Sequence, residues 1–318
     1  MPAEADRHDD TVHLLMAVYN GAGTLRAQLD SIAAQTHTNW HLLASDDGSR
    51  DDSMGVLKRF QTQHGRSRVS IIKGPGRGAS ANFMGMLRHL ADRDSAPRWI
   101  AFSDQDDVWL PGKISRALSA LRQGDPAIPT LYCSRTWVTS DDLTARRLSP
   151  PRPRPPDFRN ALVQNIAAGN TIVLNPAGAR LVLSAARRVG AVVVHDWWLY
   201  QLITGAGGAI IHDEAPGLLY RQHGANQIGI NDTARARVRR LFQLWRGDFR
   251  AWNQTNINAL RGTLCDLHPD HRAQLEGFAR LSTLPLVPRL LLLRELRLYR
   301  QTAGGTFTLW LAVMFRLV

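Results

Sequence analysis

The sequence predicts an α/β protein with a doubly wound, mostly parallel central sheet flanked by helices. Short apolar runs alternate with amphipathic segments over the first 120 residues of the 318-residue chain. Several of those runs end in acidic or glycine-containing loops, and open α/β sheets bind ligands where their strands end. The composition, 44% hydrophobic and 21% charged, is that of a globular protein with a substantial core.

The first βαβ unit begins with the apolar run 12–18, which ends in the loop 19–23. An amphipathic helix follows, and Thr24 is expected to cap it. We expect later strands at residues 40–44, 69–72, 99–102, 131–138, 167–174, 209–212 and 218–220. Helices are expected between them, including those over 80–90 and 111–121 and those that begin at Pro176 and near His195.

Three carboxylates, Asp104, Asp106 and Asp107, follow the strand predicted at 99–102. Carboxylates this close together raise one another's pKa unless a cation neutralises them. Oxygen ligands select Mg²⁺ or Mn²⁺, and such sites typically combine one or two carboxylates with the phosphates of a substrate. The stretch therefore favours a metal–diphosphate site, and an acidic surface turn before a helix is the alternative.

A second acidic cluster, which contains Asp46 and Asp47, follows the strand predicted at 40–44. The glycine-rich loop 74–78 carries one cation, Arg77, toward the same edge of the sheet. The glycines match neither the dinucleotide-binding pattern nor the P-loop pattern. A dinucleotide-binding or kinase-like protein is therefore disfavoured.

Asp196 lies at the start of an apolar helix, where a carboxylate is favoured both as a cap and by the helix dipole. The local sequence leaves a capping role and a chemical role equally open. The segment 149–156 is extended, basic and rich in proline. We interpret it as an active-site loop rather than an interdomain linker, because strand and helix patterns resume after it.

The net charge of +12 favours an anionic partner: a nucleotide, a nucleic acid or an anionic lipid surface. Much of the excess is arginine in the last third of the chain, at 235–240 and 289–300. Residues 290–300 are both basic and apolar, as in a helix that lies on an anionic membrane surface. Packing of the same leucines against the rest of the protein is the alternative.

A cytoplasmic location is expected, with a peripheral position at the inner face of the plasma membrane. The two cysteines, Cys133 and Cys265, lack metal-ligand spacing and suit a reducing compartment. The first ten residues are polar and do not resemble a signal peptide. No apolar run reaches the length of about 18 residues that a spanning helix needs.

Five short stretches, taken in their order along the chain, together resemble family 2 of the inverting nucleotide-sugar glycosyltransferases, which have the GT-A fold. The resemblance is strongest to the bacterial rhamnosyltransferase-like branch, which builds cell-surface polysaccharide, and it covers residues 13–229. The stretches are Ala17–Gly21, Ser45–Ser49, Phe102–Trp109, His195–Trp198 and Tyr220–Gly224.

The resemblance implies roles for particular residues. Asp196 matches the catalytic base, and the metal, Mg²⁺ or Mn²⁺, would be bound by Asp104, Asp106 and His223. Nucleotide-sugar contacts are implied for Ala17, Tyr19, Asn20, Asp46, Asp47, Arg77, Asp104 and Gln105, with Asp47 on the base. Acceptor contacts are implied for Asp107, Trp109, His195 and Trp197. Two positions depart from the family pattern: Ala17 replaces a common proline, and His195 replaces a common acidic residue.

The expected reaction is single displacement with inversion, from a dTDP- or UDP-sugar to a saccharide or polyprenol-linked acceptor. A metal would act as Lewis acid on the diphosphate, and one carboxylate would take the proton of the acceptor. We expect a tail over 1–10, a GT-A catalytic domain over 11–230 whose nucleotide-binding half ends near 148, and a basic, leucine-rich helical extension over 231–318.

Two rival functions remain open at this level. A nucleotidyltransferase also uses carboxylates and Mg²⁺ on an α/β sheet, but it would be expected to carry a glycine-rich phosphate loop near its N-terminus. A nucleic-acid-binding protein would explain the charge, yet the basic residues lie on leucine-rich helices without a known nucleic-acid motif. We therefore expect no nucleic-acid partner.

Overall fold

The computed structural model describes residues 10–93, 95–222 and 248–317. Its strands are β1 (Val12–Val18), β2 (Trp40–Asp46), β3 (Val69–Lys73), β4 (Trp99–Ser103), β5 (Val108–Trp109), β6 (Thr130–Ser134), β7 (Trp137–Thr139), β8 (Arg146–Leu148), β9 (Val173–Leu174), β10 (Ala209–Asp213) and β11 (Leu218–Arg221). Its α-helices are α1 (Ala22–Ala33), α2 (Ser53–His64), α3 (Ala79–Ala91), α4 (Lys113–Arg122), α5 (Phe158–Ala161), α6 (Pro176–Ala186), α7 (His195–Gly205), α8 (Asp248–Arg261), α9 (Pro269–Arg280), α10 (Leu286–Leu296) and α11 (Ala303–Met314).

The central sheet has seven strands in the order β10-β6-β9-β4-β1-β2-β3. Strands β1 to β4 are parallel to one another, and β10 is parallel to β6. Only β9 runs against its neighbours, β4 and β6. The prediction of a doubly wound, mostly parallel sheet flanked by helices is confirmed.

Both faces of this sheet are buried, as its apolar strands require. In β1 the side chains alternate: Leu14 and Met16 pack with α1, α2 and α4, whereas Leu15 packs with α3, α6 and α7. The C-terminal helices α8 to α11 extend the second of these layers, through residues such as Leu260 and Leu275. Helices thus cover both faces of the sheet.

The open edge lies at the carboxyl ends of β1 and β4. The chain proceeds outward from β1 through β2 to β3, and then returns through α3 to β4 on the other side of β1. Loops therefore diverge at this point, and a crevice for ligands is expected there. The acidic stretches that follow β2 and β4 both reach it.

A second, four-stranded sheet in the order β5-β11-β7-β8 flanks the crevice. The prediction of one strand over 131–138 was wrong, since β6 and β7 belong to different sheets. Residues 167–174 form a 3₁₀ turn, Gly169–Thr171, before the short strand β9. Thr24 lies inside α1 rather than at its cap, which is Gly21.

The proline-rich segment is extended, and it is attached to the C-terminal part of the chain. The Arg154 amide donates to Gln301 Oε1 at 3.0 Å, and the Tyr299 hydroxyl donates to the Pro155 carbonyl. These contacts place the segment against the residues between α10 and α11. In the described ranges no helix combines the length and hydrophobicity needed to cross a membrane.

Candidate active site

Gln105 ties the loop after β4 to the loop after β1. The Tyr19 amide donates to Gln105 Oε1 at 2.8 Å, and Gln105 Nε2 donates to the Tyr19 carbonyl at 3.0 Å. Gly21 allows this contact, because a Cβ atom there would lie 2.4 Å from Gln105 Oε1. The predicted nucleotide contact Gln105 is thus also a structural link between two site loops.

The loop after β1 is joined equally closely to the loop after β2. The Asn20 amide donates to Ser49 Oγ at 2.9 Å, and Asn20 Oδ1 accepts from the Arg50 amide at 2.8 Å. Asn20 has φ of 46°, a left-handed conformation that asparagine tolerates better than most residues. Ala17 precedes this loop inside β1, and Tyr19 is 53% exposed at the mouth of the crevice.

Asp47 organises the glycine-rich loop. Its two carboxylate oxygens accept the amides of Gly76 and Gly78, each at 2.7 Å. Arg77 lies between those two glycines and is exposed. Asp46 accepts the amides of its own turn through Oδ2, whereas its buried Oδ1 has no hydrogen-bond partner among the described residues.

The carboxylates of Asp104, Asp106 and Asp107 form one cluster, with an oxygen of each within 4.8 Å of the others. Burial raises the pKa of Asp104 to about 7, and the charges of Asp106 and Asp196 add to this effect. A cation in the cluster would relieve this repulsion. The oxygen-only donor set is the one that Mg²⁺ and Mn²⁺ prefer.

Asp107 is the fully buried member of the cluster. Its Oδ2 accepts from Asn170 Nδ2 at 2.7 Å, and its Oδ1 has no hydrogen-bond partner in the described part of the chain. Burial, together with the charges of Asp104 and Asp106, raises the pKa of Asp107 well above its ordinary value. A buried, unpaired carboxylate oxygen beside two other carboxylates fits a cation site better than a surface turn.

Lys113, which the sequence analysis did not select, is a buried basic residue that follows the acidic loop at the start of α4. Its Nζ lies 3.5 Å from the centre of the Trp109 ring, and the side chain is 1% exposed. Burial lowers the pKa of Lys113 to about 7, while the charge of Asp107 acts in the opposite direction. Lys113 thus places a cation and an aromatic ring under the acidic loop.

Asp196 is the second residue of α7, whose N-cap is Val194. Its Oδ1 accepts the Trp197 amide at 2.7 Å, and its Oδ2 accepts the Gly169 amide at 3.1 Å. Burial raises the pKa of Asp196 to about 6, although these hydrogen bonds oppose the shift. The residue after Gly169, Asn170, donates to Asp107, so two consecutive residues connect Asp196 to the acidic loop after β4.

The aromatic residues predicted to contact an acceptor are buried instead. Trp109 is 2% exposed and Trp197 is 5% exposed, with its Nε1 donating to the Ala161 carbonyl at 2.7 Å. His195 stacks on Phe83 with 3.9 Å between ring centres, and burial lowers its pKa to about 3. Asp107 is also buried, so all four side chains are covered in this structure, and their contact with an acceptor stays a prediction.

Tyr220 and Arg221 belong to the site although the sequence analysis did not select them. Burial raises the pKa of Tyr220, and so do the charges of the three clustered carboxylates and of Asp196. Arg221 Nε donates to the Asp106 carbonyl at 3.1 Å. Both stand in the stretch Tyr220–Gly224, from which only His223 was selected, and His223 lies outside the described residues.

Comparison with known proteins identifies relatives that act on nucleotide sugars. The dTDP-rhamnosyl transferase RfbG of Shigella flexneri is 26% identical over 232 residues, which are 71% of this chain and 78% of that protein. The Escherichia coli enzyme WfgD, a UDP-Glc:α-D-GlcNAc-diphosphoundecaprenol β-1,3-glucosyltransferase, is 27% identical over 169 residues. That match spans 52% of this chain and 61% of the relative.

A solved structure shares the fold. The S. aureus TarS fragment 1-349, determined in complex with UDP-GlcNAc, superposes with a TM-score of 0.57 over 90% of this chain and 80% of that one, at 11% identity. The family model for glycosyl transferase family 2 matches residues 14–176, which include β1, β2, β4 and the acidic cluster. The chain belongs to glycosyl transferase family 2, and its fold is the GT-A fold of that family.

Proposed function

We propose that this protein is a metal-dependent, inverting glycosyltransferase that moves a sugar from a nucleoside-diphosphate sugar to an acceptor hydroxyl. One observation carries the proposal. A carboxylate from α7, Asp196, is connected to the acidic cluster after β4 by hydrogen bonds from Gly169 and Asn170, at the end of the sheet where the strand order reverses. This arrangement provides a base on one side of a bound sugar and a diphosphate site on the other.

Asp104 and Asp106 would hold the divalent cation, and His223 is a further proposed ligand. Mg²⁺ and Mn²⁺ both suit oxygen donors, and the unpaired, buried Oδ1 of Asp107 supports a cation at this place. A bound cation would act as Lewis acid toward the diphosphate and stabilise the negative charge that gathers there. The carboxylates of the chain position the cation and offset its charge.

The nucleotide would bind at the ends of β1 and β2. Exposed Tyr19 and the left-handed Asn20 line the mouth, and the Asp46 Oδ1 atom is a buried acceptor without a hydrogen-bond partner in the described ranges. Asp47 holds the glycine-rich loop and keeps lone pairs for the base. Arg77, exposed on that loop, would reach the diphosphate. Ala17 and Gln105 would border the sugar.

The reaction is a single displacement at the anomeric carbon. The acceptor oxygen forms a bond to that carbon while the bond to the diphosphate oxygen breaks, and the leaving diphosphate takes the bonding electron pair. The acceptor proton passes to Asp196, whose pKa near 6 leaves it ionised at neutral pH yet more basic than an exposed carboxylate. Attack from the face opposite the diphosphate inverts the anomeric configuration.

The relatives suggest candidates for donor and acceptor. We propose a dTDP- or UDP-sugar as donor, with dTDP-rhamnose as the first choice, and a saccharide or polyprenol-diphosphate-linked sugar as acceptor. The printed names of the Shigella and E. coli relatives support these classes. A role in cell-surface polysaccharide synthesis follows from the acceptor class.

We further propose that α10 and α11 lie on an anionic membrane surface. In the described part of the chain, every exposed large hydrophobic residue other than Tyr19 and Ile128 belongs to these helices or directly follows α11. They are Leu286, Val287, Leu291, Phe307, Leu311 and Phe315. Exposed arginines border them, at positions 280, 294, 297 and 316. Arg289, expected on this surface, is instead 2% exposed and binds the Leu284 and Val313 carbonyls.

The test of donor binding is calorimetry with UDP and dTDP in the presence of Mn²⁺, in the presence of Mg²⁺ and with EDTA. Wild type should bind one of the two nucleotides only with a divalent cation, and Asp106→Ala should lose the metal-dependent part of the affinity while it keeps the wild-type circular dichroism spectrum. Equally tight binding with EDTA would contradict the metal site. Release of nucleoside diphosphate when α-D-GlcNAc-diphosphoundecaprenol is added to a donor panel then tests transfer.

A further inference from the structure

The 3₁₀ turn Gly169–Thr171 contacts both halves of the proposed site. The Gly169 amide donates to Asp196 Oδ2 at 3.1 Å. The next residue, Asn170, donates from Nδ2 to Asp107 Oδ2 at 2.7 Å. Two consecutive residues thus link the proposed base to the acidic loop, although Asn170 and Asp107 are 63 positions apart in the chain.

The turn is itself held firmly. Thr171 Oγ1 donates to the Ala168 carbonyl at 2.7 Å, and the Phe102 amide at the end of β4 donates to the Ile172 carbonyl at 3.2 Å. Asn170 is 3% exposed, so its side chain has little room to move. The turn is therefore a rigid part of the sheet edge rather than a surface loop.

Gly169 brings the turn unusually close to α7. A Cβ atom at Gly169 would lie 2.8 Å from His195 Nε2 and 3.4 Å from the Asp196 Cβ. A side chain at this position would push the turn away from the first residues of α7. The glycine thus permits the short contact with Asp196, while Asn170 makes the contact with the acidic loop.

We propose that Asn170 is a positioning residue, which fixes the acidic loop relative to Asp196 and so sets the separation between the leaving diphosphate and the attacking hydroxyl. The inference rests on the proposed transferase function. Asn170 acts through Asp107, the direct neighbour of the proposed cation ligand Asp106. It touches neither the substrate nor the cation in this proposal.

The expected effect is on turnover rather than on binding. A displacement of about 1 Å between reacting groups can cost about 10² in rate. Leucine has a shape similar to that of asparagine but no hydrogen-bond donor. In Asn170→Leu, Asp107 Oδ2 would therefore lose the hydrogen bond that holds it, and the acidic loop would shift. The kcat for transfer should fall by about 10², while the Kd for nucleoside diphosphate with Mn²⁺ changes by less than about threefold.

A second readout separates positioning from general loss of structure. Water is small and abundant, so its attack on the donor depends less on the alignment of Asp196 than transfer to a bulky acceptor does. The ratio of donor hydrolysis to transfer should therefore rise in Asn170→Leu. The matched control is Asn160→Leu: Asn160 is also buried, donates to the Tyr299 carbonyl at 3.0 Å and accepts from the Tyr200 hydroxyl at 2.9 Å, whereas Asn170 donates to the acidic loop itself. Asn160→Leu should lose stability but keep the wild-type ratio and the wild-type kcat per folded molecule.

The outcomes distinguish this inference from the proposed function. If wild type transfers sugar and Asn170→Leu keeps both its kcat and its ratio, the positioning role is refuted and the transferase function stands. If wild type transfers no sugar from any donor of the panel, the proposed function fails first. Should Asn170→Leu not fold, Asn170→Ser replaces it, because a serine hydroxyl is too short to reach Asp107 and should give the same loss.

Discussion

Gly21 and Gly23 lie two residues apart near the start of α1, but an added methyl group would meet different surroundings at each. At Gly21 it would lie 2.4 Å from Gln105 Oε1, whereas at Gly23 nothing lies within 4 Å. Gly21→Ala should displace the Gln105 side chain and break its two hydrogen bonds with Tyr19, at a cost of about 1–3 kcal/mol. Gly23→Ala should be neutral or stabilise the helix by up to about 1 kcal/mol.

Urea denaturation of both variants checks this pair, and calorimetry with the bound nucleotide adds a second readout. The nucleotide affinity of Gly21→Ala should fall several-fold, since the loops after β1 and β4 are no longer tied together. Equal stability and equal affinity of the two variants would mean that Gln105 does not hold these loops.

Asp196 should impose its pKa on the pH dependence of transfer. Because a general base must be ionised, kcat/KM should rise through about pH 6 and level off above it, in line with the raised pKa of the unliganded protein. The fully exposed carboxylate value near 3.9 would place this limb two units lower. A pH–rate profile in which the rate does not rise between pH 5 and 7, that is, within about one unit of the pKa of Asp196, would contradict its assignment as the base.

The same pKa predicts the sign of a stability effect. The folded state binds the Asp196 proton more tightly than the unfolded chain does, so ionised Asp196 destabilises the fold above about pH 6. Asp196→Asn removes this cost but also loses one of the two amide hydrogen bonds that Asp196 accepts. Its melting temperature relative to wild type should therefore rise as the pH increases from about 4 to about 7.5. A difference that stays constant over this range would contradict the raised pKa.

At the scale of elements, α10, α11 and the residue after α11 carry most of the exposed large hydrophobic side chains of the described residues. Val287 and Leu291 stand one helical turn apart on α10, and Phe307 stands two turns before Phe315 at the end of α11. All four are at least 62% exposed, so their replacement by serine should leave the fold intact. Each large apolar side chain contributes about 1.5–3 kcal/mol when fully buried, and each nearby arginine contributes about 1 kcal/mol at an anionic surface.

Co-sedimentation with phosphatidylglycerol-rich vesicles tests this surface. Wild type should bind, more weakly at high salt and more weakly still to phosphatidylcholine vesicles, and the fourfold serine variant should lose at least tenfold in partitioning. Ile128→Ser, at an exposed apolar residue elsewhere, is the control and should bind as wild type does. If vesicle binding does not change with lipid charge, with salt concentration or with the four substitutions, the proposed membrane contact of α10 and α11 is wrong.

Elements with strong local patterns were predictable from sequence, and those set by distant partners were not. Apolar runs and helical spacing identify β1 to β4 and α1 to α3 because each forms from adjacent residues. Residues 131–138 read as one strand, yet the chain crosses from one sheet to another between Ser134 and Trp137. The choice of sheet depends on pairing with β10 and β11, about 80 residues later, which no local pattern contains.

At the scale of the whole molecule, the candidate active site also combines features that the sequence predicts with features that depend on tertiary packing. The acidic clusters after β2 and β4 could be placed together from sequence because parallel strands end at one edge. The burial of Trp109 and Trp197 was not expected, because the resemblance implied acceptor contacts for both residues, and such contacts need accessible side chains. The link from Asn170 to Asp107 and the position of Lys113 under the loop depend on tertiary packing, and no spacing rule indicates them.

The fold also ranks the carboxylates that could replace Asp196 as base. Asp157 caps α5 and pairs with Arg159, and Asp213 accepts from Arg116 and Tyr132, each at 2.7 Å. Glu214 pairs with Arg135. These three carboxylates are committed to structural partners, whereas Asp196 stands beside the acidic cluster.

The most direct test of the account is the rate of sugar transfer by Asp196→Asn, measured as acceptor-dependent release of nucleoside diphosphate. Asparagine has about the same shape as aspartate but cannot take a proton at neutral pH, and it can accept only one of the two amides that donate to Asp196 Oδ1 and Oδ2. We predict a loss of about 10² or more in kcat, with the affinity for metal-bound donor maintained and with a stability cost of no more than about 1–3 kcal/mol from the amide that loses its acceptor. Transfer at a rate near that of wild type would contradict the account, and the base would then have to be sought among Asp157, Asp213 and Glu214.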